Sequence, residues 1–304
     1  MLLSLTAATG HAPVMLKPRV SSRMRFTALA AAAAVLIPST ALAWGKTGHR
    51  VVAAIADTQL SGLARAQVEQ ILGPGESLDE AANWPDEMRS APGNYWQKTS
   101  VPWHYMDFNG VVYDKAPPEG DAFEALGHFS AVLKDPNSTL ADKQAALRWI
   151  VHLVGDLHQP LHVGRPGDEG GGKIAVTFFG KPSNLHVVWD SGIPDNEQLS
   201  FTELAAKLER HLTPGDIIAY WDSNPRDWVD ESAQVREQIY ADLPKAKKPV
   251  GKVKKKAPKP LPDVGYSYVF KFQPLVERQL QRGGVRLAAY LNALFAEPQL
   301  HPAK

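Results

Sequence analysis

Apolar residues recur at three-to-four spacing over six stretches of the chain: 49–60 (HRVVAAIADTQL), 61–72, 121–133, 140–157, 201–212 and 275–295. That spacing lines up side chains on one face of a helix, so each stretch predicts an amphipathic α-helix. One segment breaks the rhythm. Residues 173–179 (KIAVTFF) alternate as a strand does, bounded by three glycines, 170–172, and by Gly180. With no internal repeat, the pattern predicts an all-α fold, a single mostly helical domain with glycine-rich connections and a short β-like segment near 173–179.

The N-terminus follows a different rule. Residues 1–25 carry Lys17, Arg19, Arg23 and Arg25 and no acid, 26–38 form an alanine-rich apolar run, and Ala41-Leu42-Ala43 is the small-x-small pattern that signal peptidase cuts after. The expectation is a cleaved leader over 1–43 and a mature protein, 44–304, that starts at Trp44 in the periplasm or outside the cell. Met15 and Met24 are alternative starts. Pro38 and Ser39 cut the apolar run below the roughly 18–20 residues of a spanning helix, which argues against stable membrane association.

Composition changes this picture in two ways. The chain has no cysteine, although export would permit disulfides, so any stapling must come from packing or metal. Of 33 basic and 32 acidic residues, removing the four basic residues of the leader leaves 29 against 32, near neutrality. The lysines are unevenly spread, however. Residues 244–260 read PKAKKPVGKVKKKAPKP, with eight lysines and no acid, a composition that predicts a flexible insertion. It is either a solvated linker or an electrostatic tether for polyanions.

Candidate chemistry concentrates at 148–163, RWIVHLVGDLHQPLHV, where His152 and Asp156 lie four apart and His162 follows. On a helix that spacing projects both groups from one face, as two ligands of one metal must. NLHVVWD, 184–190, repeats it with His186 and Asp190. Either pair alone would be an ordinary helical ion pair. Five such residues within 39 positions of a cysteine-free chain instead favour zinc at a site open for catalysis. His49, Asp86 in ANWPDEMR and His104 in VPWHYMDF extend the set, while His158 and His128 read as structural.

As an ordered series, WGKTGHR, WPDE, WHY, H-x-x-G-D-x-H-Q-P-L-H, N-L-H-x-x-W-D and RLAAYLN resemble the zinc-dependent, single-strand-specific nucleases and 3′-nucleotidases of fungi, plants and bacteria. Those enzymes are related in fold to bacterial zinc phospholipases C. The resemblance implies three zinc ions: one on Asp86, His104, His152 and Asp156; one on the amino group and carbonyl of Trp44 with His49 and the bridging Asp156; one on His162, His186 and Asp190. It implies a monomer that hydrolyses single-stranded DNA, RNA and 3′-nucleotides to 5′-phosphorylated or dephosphorylated products. Asp86 and Asp156 would serve catalysis with Arg89, whose alternative is a salt bridge; Tyr105 would stack a base and Asp107 accept hydrogen bonds from its edge. Asn184 would contact phosphate or hold a turn. The missing disulfides, Lys173 where an asparagine is usual, and the lysine-rich insertion depart from the pattern. Two other expectations compete. A phospholipase C would use the same site, but places its early histidine much further from the N-terminus; a non-catalytic zinc-storage protein would not need so complete a ligand set.

Overall fold

The computed structural model describes residues 44–110, 113, 115–246 and 260–297. The expected leader, 1–43, and 247–259 of the lysine-rich stretch lie outside the described residues. Eleven α-helices run through them: α1 Lys46–Gln59, α2 Gly62–Leu72, α3 Leu78–Ala81, α4 Trp84–Met88, α5 Ala122–Lys134, α6 Leu140–Leu157, α7 Leu185–Val187, α8 Phe201–Arg210, α9 Pro214–Tyr220, α10 Pro225–Ala241 and α11 Tyr266–Leu294. The all-α expectation holds, and no described helix is long and apolar enough to cross a membrane.

Helix α6 is the axis of the fold. A capping box starts it, with the Asp142 amide donating to Thr139 Oγ1 and the Thr139 amide donating to the Asp142 carboxylate. From Ala146 to Leu157 every residue but Arg148 is buried. A helix apolar on nearly all sides must sit inside the protein, and α5, α2, α1 and α11 enclose it. The sheath is close-packed where α11 crosses α1: a Cβ on Gly284 would lie 2.5 Å from Ile55, so only glycine lets the helices approach that far.

The short helices α3, α4, α7 and α9 fall outside the six predicted stretches, and two long helices depart from the apolar pattern as well. Helix α11 begins nine residues before the predicted 275 and runs through Pro274. Proline removes one helical hydrogen bond, but Tyr268, Val269, Phe272 and Val276 are buried on both sides of it and hold the helix together. Helix α10 was not predicted at all, because its buried stripe mixes Trp228, Val229, Val235 and Ile239 with Ser232 and Arg236.

The strand expected at 173–179 is β3, Ala175–Phe178, and it pairs antiparallel with β4, Lys181–Asn184. Phe179 and Gly180 connect them, both with positive φ (47° and 76°), as a tight two-residue hairpin turn requires. A shorter parallel pair, β1 Met106–Asp107 and β2 Val163–Gly164, joins Met106 to Val163 and Asp107 to Gly164. These two pairs place the residues that follow His104 and His162 side by side.

Candidate metal centre

Six segments deliver the chemistry to one end of α6. His152 and Asp156 come from α6 itself, and His49 from α1 lies against them with its ring stacked on His152 at 3.9 Å. Gly155 makes this possible, since a Cβ there would lie 2.6 Å from His49 Nδ1. Short α4 brings in Asp86, and the 3-10 turn Val101–His104 brings in His104. The turn after α6, Pro160–His162, supplies His162, while α7 and the π-helical turn Val188–Gly192 supply His186 and Asp190.

Asp156 is the hub. Its Oδ2 lies 3.2 Å from His152 Nε2 and 3.5 Å from His104 Nδ1; its Oδ1 lies 3.5 Å from His49 Nε2 and 3.2 Å from His162 Nδ1. His186 Nε2 is 3.0 Å and His162 Nε2 3.5 Å from Asp190. Three groups result whose donor atoms lie within 4.8 Å of one another: His49, His152 and Asp156; Asp86, His104 and His152; His162, His186 and Asp190. All eight side chains expected as ligands are therefore brought together, with His152 standing between two of the groups.

Whether these residues suit cations is decided by their hydrogen bonding. His49 Nδ1 and Nε2, Asp86 Oδ1, His104 Nε2, both Asp156 oxygens and Asp190 Oδ2 are buried without a hydrogen-bond partner. Isolated in an apolar interior, such groups cost several kcal/mol each; nitrogen and carboxylate donors converging without thiolate suit a divalent metal such as zinc. The rings are oriented for the same task. His152 Nδ1 faces the Ala82 carbonyl at 2.7 Å, His162 Nδ1 that of His104 at 2.7 Å and His186 Nδ1 that of Gly170 at 2.9 Å, which directs each Nε2 inward. Burial, with His152 alongside, lowers the His49 pKa to about 4, and burial lowers that of His104. Both rings are thus neutral near pH 7, the form that binds metal. Burial opposes charge on Asp156, but His152 and His162 outweigh it and hold the carboxyl well below its ordinary range.

The S1/P1 Nuclease family profile matches residues 44–296 of the chain. The chain belongs to the S1/P1 nuclease family. Endonuclease 4 of Arabidopsis thaliana is 30% identical over 282 residues, which cover 86% of this chain and 92% of the relative. Nuclease S1 of Aspergillus oryzae is 27% identical over 288 residues, covering 88% and 97%, and Nuclease P1 of Penicillium citrinum is 29% identical over 273 residues, covering 83% and 97%. The protein is a hydrolase of the nuclease class, and its buried histidines and carboxylates form three groups able to hold metal.

Beside the metal groups, this S1/P1 nuclease opens a cleft of about 450 Å³. Arg89, Tyr105, Asp107, Glu169 and Gly170 line it, and His186 joins it to the buried cluster. Arg89 reaches back to Asp86, with Nη1 3.7 Å from Oδ1. Burial and nearby Asp168 raise the Asp107 pKa, and burial and Asp107 raise that of Tyr105. Asn184 is the N-cap of α7, its Oδ1 accepting the Val187 amide at 2.9 Å, and it is not among the residues lining the cleft. Trp44 is fully buried, and the next residue's amide donates to the Asp190 carbonyl at 2.8 Å. His158 serves structure: burial and Arg286 hold its pKa well below the ordinary range, and its Nδ1 bonds the Val154 carbonyl.

Sequence reasoning missed Gln159, whose Nε2 donates to Asp190 Oδ1 and whose Oε1 accepts the Leu161 amide at 2.6 Å. It also missed Glu169, a cleft residue in the left-handed backbone region at φ 56°. The H-Q-P-L-H spacing offered a signal for Gln159, since a side chain between two ligands is well placed to orient one. Nothing in the sequence marks Glu169.

Proposed function

We propose that this chain is an exported, zinc-dependent endonuclease that hydrolyses single-stranded DNA and RNA to 5′-phosphorylated products, and that it also dephosphorylates 3′-nucleotides. The observation that carries this reading is the set of buried, unpartnered donor atoms around Asp156 beside an open cleft. Asp86, His104, His152 and Asp156 would hold one ion; His49, Asp156 and the amine and carbonyl of Trp44 a second; His162, His186 and Asp190 the third. When bound, zinc supplies Lewis acidity that activates water near neutral pH and stabilises the departing 3′ oxygen.

The protein's own groups do the rest. Arg89, at the cleft edge beside Asp86, offers positive charge to the phosphoryl oxygens. Tyr105, about one-third exposed, presents a ring on which an unpaired base can stack, and Asp107 presents acceptors to its edge. Stacking of this kind tolerates any base and is worth roughly 1–3 kcal/mol; it requires a base free of its partner, hence single strands. The terminal amine of Trp44 would exist only after removal of 1–43, and the family match that starts at Trp44 supports that boundary. Asn184 would act through the helix that carries His186.

The test is to purify the processed protein, measure zinc per chain, and assay single-stranded DNA, RNA, 3′-AMP and phosphatidylcholine with and without chelator. About three zinc ions and chelator-sensitive cleavage of the nucleic acids and 3′-AMP are expected. Cleavage of the phospholipid alone, or zinc near zero, overturns the reading.

A further inference from the structure

Helix α10 carries a buried cation that the reading above leaves without a task. Arg236 is 2% exposed. One of its nitrogens, Nη1, donates to three backbone carbonyls, Phe108 at 2.8 Å, Val163 at 2.5 Å and Gly164 at 2.8 Å. Its Nε and Nη2 donate to Glu237 Oε1 at 3.1 and 2.9 Å. Two of these carbonyls belong to β2 and the third to Phe108, the residue just after β1, whose own amide donates to the Gly164 carbonyl and so extends the pair. One strand of this parallel pair leads back to His104 and Tyr105, the other to His162, and Asp107 lies within it.

The same helix grips the next stretch of chain. Glu237 accepts hydrogen bonds from Arg165, whose guanidinium lies 4.2 Å from the ring centre of Tyr240; the Tyr240 hydroxyl donates to Asp168 at 2.6 Å. Residues 165–168 run directly into Glu169 and Gly170, which line the same cleft. A single face of α10, through Arg236, Glu237 and Tyr240, therefore ties down two of the stretches that line the cleft.

Burying a guanidinium is costly, and an apolar residue would fill the same space more cheaply. What an apolar residue lacks is the ability to gather three carbonyls in one plane, which fixes the register of two strands only two residues long. A lone two-residue pairing is marginal without such support. Resting on the nuclease reading, we infer that Arg236 is a positioning residue for base recognition: it clasps β1 to β2 and so sets where Tyr105 and Asp107 stand in the cleft. The rings of His152 and His186 are held by carbonyls outside the pair, and that of His162 by the His104 carbonyl, which is not among those that Arg236 bonds, so the metal groups keep their own supports.

The test compares wild type with Arg236→Lys and Arg236→Met. Three readouts are taken: zinc per chain; kcat and KM for 3′-AMP; and hydrolysis of bis(p-nitrophenyl) phosphate, a phosphodiester with no base. Lysine keeps the charge, but its ammonium ends one bond short of the Nη1 position and brings no further nitrogen to Glu237, and the loss of one or two charge-assisted hydrogen bonds sets the scale. KM for 3′-AMP rises about tenfold in Arg236→Lys, with kcat, zinc content and the base-free reaction within about threefold of wild type. In an Asp107→Ala background the same substitution adds less than it does in wild type, because one of the two positioned groups is gone. Parallel loss on both substrates, loss of zinc, an unchanged KM or full additivity with Asp107→Ala overturns the clasp, and the lysine variant decides the matter if methionine fails to fold. Calorimetric binding of adenosine 5′-monophosphate separates the two levels. Wild type that neither binds it nor cleaves 3′-AMP sinks the nuclease reading itself, whereas wild type that does both, with Arg236→Lys unchanged, sinks the clasp alone.

Discussion

The buried cluster around Asp156 and the cleft beside it adjoin at His186, yet they are built on opposite principles. The cluster is rigid and densely polar: its members are nearly or fully buried, sit on a central helix and short turns, and face one another through atoms with no other partner. The cleft is made of side chains from short strands and loops, with Tyr105 about one-third exposed and Glu169 in a strained backbone conformation. A metal cluster demands fixed distances, so it is placed where packing allows no freedom. On the proposed reading, the cleft must admit many base sequences, which side chains on loops and short strands can do. The difference yields unequal expectations for mutation, which can be ranked.

The largest effect is expected from the hub. Asp156→Asn retains the shape but removes the charge that His49, His104, His152 and His162 all approach. Loss of activity by at least about 100-fold, with a fall in zinc content, is expected, and a larger loss than for His49→Ala, which touches one group. Near-normal activity and zinc in Asp156→Asn would remove Asp156 from the centre of the cluster.

Next comes the chain terminus. Retaining one residue before Trp44 converts its amine into a planar amide that cannot donate a lone pair to metal. Activity should fall by about tenfold or more, with one zinc lost and the melting temperature little changed, since the indole stays buried. Full activity from an extended chain, confirmed by mass spectrometry, would show that this amine is no ligand. Trp44→Phe in processed protein should be the milder change.

Gly155→Ala tests the rigidity of the cluster rather than its ligands. In an ordinary helix the substitution would stabilise by up to about 1 kcal/mol. Here the new methyl would sit 2.6 Å from His49 Nδ1 and push that ring off its site. The expected signature is a protein as stable as wild type toward heat but several-fold poorer in zinc affinity. Equal affinity would mean that His49 has room to move.

How much of this was legible in the sequence follows the same division. Helix α6 was predicted with its observed ends, because a capping residue, three-to-four spacing and a following proline all mark them. The histidines and aspartates that the fold gathers were legible because such residues at helical spacing are rare enough to stand out from a cysteine-free background. The second strand of the hairpin was not, since Pro182 within KPSN argues against a strand except at an edge, which is where β4 lies. Helix α10 was missed because Arg236 occupies its buried face, and its bonds to three backbone carbonyls leave no trace in residue types. What the sequence conceals, in both cases, is contact with main chain.

Smaller effects are expected on the cleft side. Tyr105→Ala and Asp107→Ala should each raise KM for 3′-mononucleotides about tenfold, from the loss of roughly 1–3 kcal/mol of base contact, and leave zinc content intact. A fall in zinc would mean that these residues belong to the cluster after all. An unchanged KM across adenosine and pyrimidine 3′-monophosphates would place the base elsewhere.

The smallest effect is expected at Asn184, which lies at the seam between the two regions and distinguishes a cap from a substrate contact. Its Oδ1 accepts the Val187 amide and so starts the three-residue helix that holds His186. Removing an N-cap costs typically about 1 kcal/mol, so Asn184→Ala should lower thermal stability modestly and loosen zinc at the His162, His186 and Asp190 group, with activity at saturating zinc within about threefold. Asn184→Ser separates the two roles. Serine keeps an oxygen that can cap the helix but lacks the amide nitrogen that would donate to a phosphate. If capping is the role, serine restores stability and KM together. If Asn184 also binds phosphate, serine restores stability while KM for 3′-AMP stays as high as in the alanine variant, and the seam then belongs to the cleft as much as to the cluster.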